Sequence, residues 1–78
     1  MPNAEIDQRI LACCDARFLK VARIISEVRK GSALDDKEWA VRAITKRIRV
    51  LWRKRQIEAV GNIWNPRGSE IRLAVRAS

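Results

Sequence analysis

Apolar side chains along the first two thirds of the chain recur at the spacing of helix faces, and then the pattern switches to alternation. Ile6, Ile10, Leu11 and Cys14 fall on one side of a helix predicted over about 4–14. Asn3 stands where an N-cap belongs, and Glu5 and Asp7 lie near the positive helix end. Phe18, Val21, Ile25 and Val28 line one face of a second helix, over about 16–29, opposite Lys20, Arg23 and Glu27. Asp15 is its expected cap, so the two helices follow each other almost without a loop. "KGSALDD" breaks the pattern, with Gly31 as the expected helix stop. Asp35 and Glu38 then have the spacing of a capping box, and Leu34 and Trp39 that of a hydrophobic staple. They open a third helix, over about 36–54, whose apolar sector holds Val41, Ile44, Ile48, Leu51 and Trp52.

Past Arg55 the period becomes two. Ile57 and Ala59 alternate with Glu58 and Val60, and Ile71 and Leu73 alternate with Glu70 and Arg72. Asn65-Pro66-Arg67-Gly68 lies between them. Proline presets the first corner of a type I turn, and glycine accepts the positive φ expected after it. A two-stranded β-hairpin is predicted over about 56–75. The expected architecture is one α+β domain over 1–78, three helices followed by a C-terminal hairpin. A chain of 78 residues buries only about 60% of its unfolded surface, so its core is small.

Charge sharpens the picture. Seventeen Lys and Arg against nine Asp and Glu give a formal net charge of +8, which favours a polyanionic partner. "WAVRAITKRIRVLWRKR", residues 39–55, holds seven basic side chains and no acid. Arg42, Lys46, Arg49 and Arg53 stack within a sector of about 60° opposite the apolar one. The plain reading is a solvated helix face, with Arg53, Lys54 and Arg55 complementing the negative helix end. Solvated faces commonly mix signs, however, because like charges four apart repel, as Arg42/Lys46 and Arg49/Arg53 do here. A polyanion would remove that cost. Trp52 is expected in the core. Trp39 is expected as a staple residue or as a contact flanking the basic stripe. Trp64 is expected either to cover the junction of helix and hairpin or to anchor a partner.

Three helices, a basic third helix and a hairpin resemble the winged helix-turn-helix superfamily. The segments "RFLKVARII", "RQIEAVGNI" and "SEIRL" are similar to a small uncharacterised bacterial winged-helix domain of unknown function. "KGSALDD" is longer than the turn of a compact helix-turn-helix. The resemblance implies a DNA-binding module, in the manner of a small transcriptional regulator, with the third helix in the major groove and the hairpin as a wing on the neighbouring backbone. Carried onto this sequence, it assigns Arg42, Lys46, Arg49 and Arg53 to the recognition helix, and Arg67 and Arg72 to the wing. Double-stranded DNA is the partner this favours, and RNA is a weaker alternative because splayed bases want an aromatic platform. The competing expectation is a protein-interaction or adaptor module whose partner is acidic or offers an apolar pocket to Trp64. A homodimer is compatible with either, since a small core gains from association.

Other classes find little support. No His, no Tyr, no glycine-rich phosphate loop and no spaced carboxylates offer a catalytic constellation, so no enzyme, no metal and no cofactor is expected. Glu58 and Glu70 are expected to balance arginines across the hairpin. Adjacent Cys13 and Cys14 cannot staple the fold, and are expected as a reduced pair with at least one thiol in the core. No apolar run is long enough to cross a membrane, and "MPNAEIDQRI" carries acids where a signal peptide carries basic residues and an apolar run. A cytoplasmic location is the expectation.

Overall fold

The computed structural model describes residues 3–30, 37–65 and 67–74. It is an α+β fold of three helices and a three-stranded antiparallel sheet. The elements run α1 (Asn3–Cys13), β1 (Leu19–Lys20), α2 (Val21–Arg29), α3 (Ala40–Arg53), β2 (Ile57–Gly61) and β3 (Ser69–Leu73). Gly31, Leu34, Asp35 and Pro66, on which the expected helix stop, staple, capping box and turn corner depend, lie outside the described residues.

The sheet order is β1-β3-β2, with Leu19 opposite Ile71 on one side and Ala59 opposite Ile71 on the other. Period-two alternation therefore sends Leu19, Ile71, Ala59 and Ile57 to the helical side and Phe18, Arg72 and Glu58 to the outer side. The core is wholly aliphatic, built from Ile6 and Ile10 of α1, Val21, Ile24, Ile25 and Val28 of α2, Ala40, Ile44, Ile48 and Leu51 of α3, and Ile57, Ile63 and Ile71 from the hairpin half. Thr45 is buried among these helices, and its hydroxyl donates to the Val41 carbonyl at 2.7 Å, so its polar atom is satisfied within its own helix.

Several expectations need correction; the third helix, for one, begins at Ala40 and not near residue 36. The second helix does not begin near Ala16. Leu19 and Lys20 pair with β3 instead, and α2 starts at Val21. Asp15 caps no helix. Its carboxylate accepts from the Ala16 amide at 2.6 Å, and its carbonyl accepts from the Leu73 amide at 2.9 Å, which ties the loop to the end of β3. Trp52 is not in the core but 41% exposed: it stands at the edge of the buried sector in the last turn of α3, where Leu51, one residue earlier, is the side chain turned inward. Val41, in the first turn, is also exposed.

Helix α3 ends in a tight reversal. The Gln56 amide donates to the Leu51 carbonyl and the Arg55 amide to the Trp52 carbonyl, both at 3.0 Å, with Arg55 at φ 62°. This is a Schellman motif with arginine where glycine is usual. It turns the chain directly into β2.

Both thiols are half-buried against the core. Burial pushes the Cys14 pKa up from 9.0 to about 11, with its neighbour Cys13 adding to the rise.

Candidate functional site

The basic stripe of α3 follows from which face of the helix is buried. With Ala40, Ile44, Ile48 and Leu51 turned inward, a rotation of about 100° per residue sends Arg42, Lys46, Arg49 and Arg53 outward. The four side chains, with Val50 and Trp64, line one groove of about 480 Å³. Arg42, Lys46 and Arg53 are exposed and Arg49 is half-buried. Among the described residues, none of the four forms an ion pair with a carboxylate.

The other end of the groove comes from the loop between β2 and β3. Two successive turns build it. The Asn65 amide donates to the Asn62 carbonyl at 2.8 Å, and the Gly68 amide donates to the Asn65 carbonyl at 3.0 Å. Asn side chains brace both turns, the Asn62 Oδ1 accepting from the Trp64 amide and the Asn65 Oδ1 from the Arg67 amide. Positive φ falls at Gly61, at 80°, where the hairpin leaves β2, and Gly68 does not adopt it. Buried Ser69 donates to the Asn65 carbonyl at 2.8 Å and fastens the loop's return. Ile63 plugs the loop into the core, and the next residue, Trp64, points outward at 60% exposure.

Trp64 meets the stripe there. The Arg49 guanidinium carbon lies 4.0 Å from the centre of the Trp64 ring, a cation–π contact worth about 0.5–1 kcal/mol at an exposed site. The two alternatives left open for Trp64 are thus partly merged: it covers the junction of helix and hairpin and remains solvent-facing. Trp39 is also exposed, at 51%. It precedes Arg42 by three residues and Lys46 by seven, a helical spacing that puts it on the flank of the stripe. All three tryptophans of the chain thus lie outside the core.

The two arginines of the hairpin part company. Arg67 is exposed at the loop, where it lines a second groove of about 560 Å³ with Ala22, Ile25, Val41 and Asn65. Arg72 is held on the outer face of the sheet. Its Nε donates to Glu58 across the strands at 2.6 Å, and its guanidinium lies 4.4 Å from the Phe18 ring centre. The expected charge balance by Glu58 across the hairpin is present there. Glu70 stands opposite Lys20 of β1 in the register, on the same outer face.

One charged residue with a defined role escaped the sequence reading. Arg47 lies on α3 beside the stripe's residues in sequence but turns toward α1, where it holds Asp7 through two hydrogen bonds. Its angular position, between the buried and outward sectors, was the only local signal. Comparison with protein-family models, curated proteins and solved structures found no match.

Proposed function

We propose that this domain binds double-stranded DNA through the α3 groove, as a winged helix-turn-helix module in which the β2–β3 hairpin is the wing. The observation that carries the reading is the ridge of Arg42, Lys46, Arg49 and Arg53, which share one open groove and have no carboxylate partner among the described residues. Four like charges held side by side repel, and a phosphate backbone relieves that repulsion while releasing counterions. Arg67, exposed at the hairpin loop, is the wing cation free to meet a backbone phosphate in this reading. Arg72 contributes less, because Glu58 and Phe18 already engage its guanidinium.

The test is a titration of random duplex DNA across salt concentrations. With four to six phosphates contacted, log K should fall against log salt with a slope of about −4 to −5. An affinity that does not respond to salt would remove this function.

A protein partner is the second reading, and one feature favours it. The groove beneath Arg67 is lined by apolar Ala22, Ile25 and Val41, so an apolar anchor with an acidic neighbour would fit it. Val41→Glu would block such a partner and leave duplex binding in place.

A further inference from the structure

The contact between Arg49 and Trp64 distinguishes Arg49 from the other cations of its groove. Arg42, Lys46 and Arg53 are exposed, and among the described residues no carboxylate or aromatic ring holds their heads. Arg49 is half-buried, and its guanidinium is packed against an aromatic face 4.0 Å away. Its Nε is buried and has no hydrogen-bond acceptor among the described residues. Neither Nη atom shares that condition, so the end of the guanidinium is the part that reaches solvent. An arginine held in this way keeps the N–H groups of its two Nη atoms available, two of them parallel at the guanidinium's end.

We infer that Trp64 is a positioning residue for Arg49, and that the stack sets the two Nη groups as a fixed fork selective for guanine within a duplex. This rests on the DNA-binding reading and adds to it a base preference and the residue that enforces it. The O6 and N7 atoms of guanine present two adjacent acceptors on the major-groove edge, which a guanidinium matches with two donors. A mobile arginine can make the same contact, but it must first lose rotamer freedom, and it exchanges readily onto phosphates. Stacking on Trp64 removes part of that freedom before contact. Trp64 can do this because Ile63 and the paired Asn turns fix the loop that carries it. Its own substitution leaves the core untouched, since the ring is 60% exposed.

The experiment selects preferred sites from random duplexes with the full chain, then replaces each selected guanine by 7-deazaguanine, which lacks the N7 acceptor. For the unaltered protein, one guanine should stand out, its replacement costing roughly 5- to 100-fold in affinity. Arg49→Lys keeps the charge and should bind random duplex with an unchanged salt slope, while losing the guanine discrimination. Trp64→Leu should reduce that discrimination about two- to fivefold, and Trp64→Phe, which restores an aromatic face, should recover most of it. Retained discrimination in Arg49→Lys, or equal behaviour of Trp64→Leu and Trp64→Phe, would overturn the assignment while leaving duplex binding intact. Guanine preference seen only on single-stranded RNA would overturn it too. Absence of any salt-dependent duplex binding by the unaltered protein would instead remove the function on which it rests.

Discussion

Arg47 of α3 and Asp7 of α1 meet in a two-pronged contact, Nε to Oδ1 at 2.8 Å and Nη2 to Oδ2 at 2.7 Å. Their side chains are only 16% and 17% exposed, so water screens this pair far less than it screens a surface ion pair. Hydrogen bonding to Asp7 raises the Arg47 pKa further, so the charge persists at every workable pH. Removing one partner strands the other. Asp7→Ala should lower the unfolding free energy by about 2 kcal/mol in urea titrations, and Asp7→Leu combined with Arg47→Met should cost less than either single change. Because Arg47 faces α1, the double variant should bind duplex DNA within about twofold of the unaltered chain.

The outward stripe should respond in the opposite sense. Arg42→Ala, Lys46→Ala and Arg49→Ala together remove three cations from exposed or half-buried positions that carry no core packing. The magnitude of the salt slope for duplex binding should drop by about 3, and the helical circular dichroism should stay as it was. An unchanged slope would place the contact elsewhere on the molecule.

Arg55 occupies a left-handed backbone position, φ 62°, that suits glycine better than any side chain. Arg55→Gly should therefore stabilise the fold by about 1 kcal/mol, read as a melting temperature higher by about 4–8 °C. A lower melting temperature would mean that the arginine side chain supplies more than the backbone strain removes.

Gly61 is the reverse case. At φ 80°, a methyl group there would collide with the Gly68 carbonyl oxygen, which is backbone and cannot swing aside. Gly61→Ala should destabilise by about 2 kcal/mol or more, and should loosen the loop that presents Trp64. Loss of the Arg49 contact can be followed by a shift in tryptophan emission.

Cys14 should react slowly. With its pKa pushed up to about 11, chiefly by burial and then by Cys13, the thiolate fraction at pH 8 is roughly a hundredfold below that of an unburied thiol. Alkylation at pH 8 should be correspondingly slow until the chain unfolds. The linkage has a direction: a thiol whose folded pKa is raised favours the fold below pH 9.0, and that contribution is lost as pH rises toward 11. Cys14→Ala should flatten the decline of stability across that window, measured by melting at pH 8 and pH 10.5.

The helical faces could be read from the sequence because burial in them is periodic. Ile6 and Ile10, Val21, Ile25 and Val28, and Ile44, Ile48 and Leu51 are all buried as their spacing predicts. β1 could not be read in this way. Leu19 and Lys20 sit within an apolar pattern that suits a helix, and they are extended only because Ile71 and Glu70 supply a strand to pair with. Trp52 illustrates a second limit. A helical wheel gives the direction of a side chain but not where the buried sector ends. The four cations of the groove were legible as one ridge, whereas the Trp64–Arg49 stack and the Asp7–Arg47 pair join residues distant in sequence and left no local signature.

The carboxylates that form ion pairs among the described residues choose arginines away from the α3 groove: Glu5 with Arg9, Asp7 with Arg47, Asp15 with Arg17 and Glu58 with Arg72. None of these pairs draws on Arg42, Lys46, Arg49 or Arg53, so four cations stand together on the groove flank with no carboxylate against them among the described residues. Such a lopsided body experiences a torque in the field of a polyanion before the two touch, so it arrives already facing the right way. Its rate of encounter, and not only its strength of attachment, should quicken as the ionic strength falls.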